Sequence, residues 1–154
     1  MDEVAKLEVA YACKRPTVEY CQLVDHGEAA KTAELFTQDG VLDLGRGEWR
    51  GRDAIREAMA ARDAMKTRIS RHICDNFLIT SFAEDRVTAT TYLSLYRSDV
   101  QPGDPVGEVA VPAALGEYND VFVRTGEGWR IARRVCRIDL RSPEDPGYPA
   151  PQAG

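Results

Sequence analysis

From residue 69 to residue 140 the chain is written as four long strands in succession. Apolar and polar positions alternate over 69–80, 86–98, 108–125 and 129–140, and the segments between them ("SFAED", "SDVQPGDPVG", "TGEG") are built of turn residues. Long strands joined by short turns pair antiparallel as hairpins. Before residue 69 the pattern is helical. A short helix is expected over 2–14, a second from Pro16, which suits a first turn, to Gly27, and a third over 28–36. A turn at 37–40, a short strand at 41–44 and a glycine-rich connection, "GRGEWRG", lead to a helix over 52–65. Helices first and a curled antiparallel sheet afterwards make an α+β domain. With 154 residues there is room for one domain, 1–141, and a tail, 142–154, whose four prolines bar regular structure.

Charge and residue counts narrow the function. Acidic residues exceed basic ones, 25 to 20, and no Lys/Arg cluster exists, so nucleic acid is not an expected partner. No apolar run approaches the ~18 residues of a membrane span. The first ten residues are charged where a signal peptide would be apolar, so a cytoplasmic location is expected. Two histidines cannot build a multi-histidine metal site, and the four cysteines contain no C-x-x-C. Neither a zinc knuckle nor a redox pair is expected; the thiols read as small buried hydrophobes. No G-x-G-x-x-G or P-loop is present, which leaves acid–base chemistry without metal or cofactor.

Candidate site residues come from strand parity. In "RHICDNFLI", Ile69, Ile73, Phe77 and Ile79 fall on one parity and His72, Cys74, Asn76 and Leu78 on the other. The polar row is either a solvated face or the lining of a second interior. In the last strand Arg134 shares a parity with Ala132, Cys136, Ile138 and Leu140. An arginine in an apolar row must be paired. It either meets a substrate oxygen or forms an ion pair with Asp120 or Glu117. Tyr118, Asp120 and Phe122 share a face of the preceding strand, as a second acid site or a cross-strand pairing element. Trp49 is a pocket wall or a core plug. Arg133, Arg137 and Asp139 make the outer parity polar, which suits a modest homo-oligomer interface.

The element order and three stretches resemble the nuclear transport factor 2-like superfamily and its SnoaL-like, polyketide-cyclase-like branch. "YCQLVDHGEAAKTAELFTQDGVLDL" is similar to that superfamily's opening, "WRGRDAI" to its helix entry, and "SRHICDNFLI" with "EYNDVFVRTGEGWRIARR" to its sheet. The resemblance spans about residues 7–140. It implies a cone-shaped α+β barrel, a curved antiparallel sheet wrapped around three to four N-terminal helices, with an apolar pocket inside. It also implies that the row bearing His72 and Asn76 lines that pocket. Members similar to scytalone dehydratase, bile-acid dehydratase and hexachlorocyclohexane dehydrochlorinase pair an Asp at the end of the first long helix with a His on the first long strand. Asp25 and His72 stand at those places, against the alternatives of a helix-capping Asp and a structural His. Tyr20, five residues before Asp25 and about 140° around the helix, borders the same cavity or serves as a core aromatic. Arg97 stands where the scytalone dehydratase pattern has a second histidine, which argues against that substrate.

The expected function is a cofactor-independent lyase or isomerase acting on a hydrophobic, cyclic or polyketide-like small molecule. Its site would be His72, Asp25, Tyr20, Arg134, Asp120, Tyr118, Trp49 and Asn76. The alternatives are a non-catalytic binder and the small structural subunit of an aromatic-ring hydroxylating oxygenase.

Overall fold

The computed structural model describes residues 2–101, 103–104, 106–109, 111–145 and 147. Helix α1 runs Glu3–Asp25 without a break. Asp2 caps it, accepting the Ala5 N–H at 2.8 Å. The two expected helices are thus one, with Pro16 inside it. Pro16 forfeits a main-chain donor. However, Cys13, Pro16, Thr17, Tyr20, Cys21 and Val24 are all buried, three or four apart on one face, and their packing keeps the helix continuous. Gly27, at φ +75°, turns the chain out of it.

The third expected helix is a 3₁₀ segment, Ala29–Leu35. The Asp63 carboxylate at the end of α2 (Arg52–Asp63) accepts its first two N–H groups, from Ala29 at 2.6 Å and Ala30 at 2.9 Å. The expected turn at 37–40 lies within strand β1, Phe36–Asp43, as a register irregularity. Gly40 sits there because a Cβ would come within 2.8 Å of Phe36 Cβ. The glycine-rich connection holds a further short strand, β2, Glu48–Arg50.

Strands β3 (Arg68–Phe82), β4 (Arg86–Asp99), β5 (Ala114–Thr125) and β6 (Gly128–Arg141) form the expected hairpins. The expected start of this strand at 108 is not met: residues 108, 109 and 111–113 are outside β5. The sheet order is β2-β1-β6-β5-β4-β3. The sheet is mixed and open: β1 runs parallel to β6, and every other pair is antiparallel. The helices pack on its concave face. The core between them gathers Val24, Phe36, Leu42, Ile55, Phe122 and Ile131.

Bulges set the curl and reassign faces. In β3 an extra residue falls between Asp75 and Leu78, and Asn76 takes φ +52°. Before the bulge His72 and Cys74 face the helices; after it Phe77 and Ile79 pack on the core. The row expected from simple alternation therefore changes sides: Ile73 and Leu78 are exposed on the outer surface with Tyr92. That outer face is less polar than its arginines suggested. In β6 the shift between Val121 and Phe122 turns both Ile131 and Arg134 inward.

Of the 142–154 tail, Ser142–Asp145 and Gly147 are described, and they lie against the domain. Ser142 N–H donates to the Ala113 carbonyl at 2.9 Å. The rest of the tail lies outside the described residues.

Candidate active site

Between the concave sheet and α1 is a cavity of about 730 Å³. Val24, Met59, Leu93, Leu95, Ala114 and Ile138 give it apolar walls; Tyr20, His72, Arg97 and Tyr118 bring polar atoms to them. The turn after β1 and the β6 end, through Arg46, Arg137 and Arg141, form its other boundary.

The end of α1 delivers Asp25 to the start of β3. One Asp25 oxygen accepts from the His72 ring Nδ1 at 2.6 Å and from the Ser70 hydroxyl at 2.7 Å; the other accepts the His72 main-chain N–H at 2.8 Å. Arg62 donates to Ser70 Oγ at 3.0 Å, so the carboxylate is held from behind as well. Burial pushes the Asp25 carboxyl up. The His72 ring, its N–H and the Ser70 hydroxyl outweigh burial and hold it below the usual carboxylate range. A carboxylate only accepts, so Nδ1 carries the hydrogen of the neutral ring and Nε2 the lone pair. Both side chains are nearly sealed, at 7% and 6% exposure, and Nε2 has no hydrogen-bond partner among the described residues. Because His72 lines the cavity, a basic nitrogen is available to its contents.

Arg134 and Asp120 are fully buried and bound to each other. Nε donates to Asp120 Oδ1 at 2.8 Å, Nη2 to Oδ2 at 2.6 Å, and Nη2 also to Thr17 Oγ1 at 2.7 Å. Of the two expectations for Arg134, the ion pair is the one built. Neither residue lines the cavity. The guanidinium stacks against the rings of Tyr20, at 4.6 Å, and Tyr118, at 4.2 Å, which do. The two rings meet edge to face at 6.0 Å. Burial, with the thiols nearby, raises Tyr118 well above the usual phenol range, so its hydroxyl keeps its proton. The buried pair thus acts on the cavity through two aromatic walls.

Asn76 is exposed on the β3 bulge, away from the cavity. Trp49 sits half-buried on the edge strand β2, folded over Gly47 and packed against the core, outside the lining. Three residues that hold the site were not among the candidates. Ser70 and Arg62 brace Asp25; the only trace of Ser70 in the sequence is that it lies two residues before His72, on its parity. Asp145, from the tail, binds Arg97 through two contacts of 2.6 Å and accepts from Arg141 at 2.8 Å. Burial pushes Asp145 up, but the Arg97 bonds prevail and hold it below the usual range. Arg97 separates the cavity from a second, more open hollow of about 590 Å³.

A curved sheet folded over helices around a cavity, with polar side chains on its wall, is the nuclear transport factor 2-like architecture. The chain belongs to the SnoaL-like domain family, which matches residues 5–135. No curated protein matches it. Among solved structures it is similar to a protein of unknown function from Mycobacterium tuberculosis, 24% identical over 90% of this chain and 77% of that one, TM-score 0.71. It is similar to a protein from Novosphingobium aromaticivorans provisionally described as a scytalone dehydratase, 20% identical over 89% and 88%, TM-score 0.75. It is also similar to the beta subunit of a provisionally described aromatic-ring-hydroxylating dioxygenase of the same organism, 18% identical over 91% and 94%, TM-score 0.72. At these identities the likeness is one of fold. No helix among the described residues is long and apolar enough to cross a membrane.

Proposed function

We propose that the chain is a cofactor-independent lyase or isomerase of hydrophobic, cyclic small molecules, with His72 as its base. The observation that carries this is the 2.6 Å contact between Asp25 and His72 Nδ1 at the wall of the cavity. Nε2 takes a proton from a carbon beside a carbonyl or a leaving group. Asp25 holds the ring and balances the imidazolium without taking the proton. The Tyr118 hydroxyl donates to the substrate oxygen on which charge develops, and Tyr20 packs beside it. Arg134 and Asp120 position those two rings. The reaction ends with loss of water or halide, or with the proton returned to another carbon. The apolar walls strengthen each contact by excluding water. A cavity of this volume favours a pocket protein over a purely structural subunit, whose interior would be filled.

The test is hydrogen exchange on cyclic ketones of two to four fused rings, followed by proton NMR in heavy water. The protein accelerates exchange beside the carbonyl. His72→Ala slows it ~10²–10⁴-fold, the size of a general-base contribution, with an unchanged circular dichroism spectrum. Full exchange in that variant ends the assignment. Tight binding with no exchange by the unaltered protein makes it a binder instead.

A further inference from the structure

The two faces that meet at Asp25 and His72 also bring two thiols together. Cys21, one turn before Asp25 on α1, and Cys74, two residues after His72 on β3, have their sulfurs 3.3 Å apart. They are 53 residues apart in sequence, which is why spacing gave no hint of a pair. We propose that Cys21 and Cys74 are a peroxide-oxidisable dithiol, a modification site that reversibly ties α1 to β3 beside the candidate active site.

The pair is asymmetric in the way such chemistry needs. Cys74 is partly exposed and Cys21 buried. The hydrogen bond shared with Cys21 lowers Cys74 below the usual thiol range, burial opposes it, the Arg134 guanidinium lowers it further, and Asp120 and Asp25 push the other way. The same hydrogen bond, followed by burial, drives Cys21 far above that range. Cys74 is thus the more acidic of the two thiols and Cys21 the one that keeps its proton longer. Arg134 Nη1, buried without a hydrogen-bond partner, leaves one donor of the guanidinium unused by its Asp120 pair. The remaining thiols are inert by comparison: burial pushes Cys13 up to about 12 and Cys136 up to about 11.

The chemistry needs one co-reactant, a hydroperoxide. Cys74 thiolate attacks a peroxide oxygen and the O–O bond breaks, leaving Cys74 sulfenic acid and hydroxide. Cys21 sulfur then attacks the Cys74 sulfur; the S–S bond forms, and the sulfenic oxygen leaves as water with the Cys21 proton. With hydrogen peroxide as the oxidant, the hydroxide takes up the proton that Cys74 released on ionising, so two thiols are oxidised, one peroxide is reduced and two waters are made.

The experiment uses the full chain, reduced, freed of added thiol and treated with hydrogen peroxide. Thiols titrated after denaturation fall from four to two, the intact mass drops by ~2 Da, and digestion yields a Cys21–Cys74 linked peptide that dithiothreitol releases. A chain with both Cys13→Ser and Cys136→Ser behaves the same way. Cys21→Ser leaves the Cys74 sulfenic acid unresolved, so it is captured by dimedone. Four thiols remaining under peroxide that fully oxidises free glutathione overturn the proposal. So does a disulfide joining any other cysteines, or oxidation of Cys74 to sulfinic acid with Cys21 still free. No substrate enters the assay, so its outcome is separate from that of the proposed function.

Discussion

Replacing Asp120 with Asn tests the idea that the Arg134 pair, rather than a ligand, neutralises the guanidinium. Both side chains have no solvent exposure, and the carboxylate accepts Arg134 N–H groups at 2.8 and 2.6 Å. Asn keeps the shape but removes the negative charge and one acceptor, leaving a buried cation uncompensated. Breaking such a pair costs ~3–5 kcal/mol. Against a total stability of ~5–15 kcal/mol, that is a large share. At ~2–4 °C per kcal/mol for a domain of this length, the melting temperature falls by roughly 6–20 °C. Thermal melts by circular dichroism, backed by urea curves, measure it. The double change Asp120→Leu with Arg134→Met removes both charges, so it costs less than the two single changes together. An Asp120→Asn melt within ~2 °C of the unaltered protein, under ~1 kcal/mol, would refute the pairing, as would strict additivity in the double variant.

Acid should unfold the protein through its depressed carboxyls, Asp25, Asp99 and Asp145. Their folded values lie below the unfolded ones, so the unfolded chain binds more protons. The stability they add is complete above the ordinary carboxylate value, ~4, and is lost as pH falls through the folded values. Urea midpoints between pH 7 and pH 2 follow this, and Asp25→Asn flattens the curve; an identical slope in the variant removes Asp25 from the account. Asn76 at φ +52° tolerates glycine within ~0.5 kcal/mol but not valine, which costs ~1–3 kcal/mol by the same urea measurement. Gly116→Ala places a Cβ on the Arg137 carbonyl across the β5–β6 ladder and costs ~3 kcal/mol or more, read as a fall in melting temperature.

Much of the architecture could be read because long strands and short turns leave few options. The helix over 52–65 and the four strands after residue 69 stand close to where pattern and turn residues put them, whereas the two helices expected before Gly27 are one and the third is a 3₁₀ segment. Arg134 was recognisable as out of place in an apolar row, and Asp120 was one of its two nominated partners. Alternation failed at bulges. One extra residue at Asp75–Asn76 puts Phe77 on the core side and Asn76 in solvent, and nothing in a single sequence marks that residue as a bulge rather than a strand position. Pro16 misled because a local rule against mid-helix proline was overruled by the burial of its neighbours. The Ser70 and Arg62 brace on Asp25, the Asp145 clamp on Arg97 and the Cys21–Cys74 approach each join elements distant in the chain. Contacts of that kind arise from tertiary packing, and local pattern carries no record of them.

The parallel pairing of β1 with β6 has a consequence for how the chain is made. Phe36 faces Ile131 across that ladder, and Asp43 faces Val135. β1 therefore finds its inner neighbour only once β6 exists. Until then β1 is a bare edge attached to two helices, with β2 as its sole companion. Closing the sheet must wait until β6 has emerged, and any chain cut short before β6 carries an exposed ribbon ready to pair with a stranger.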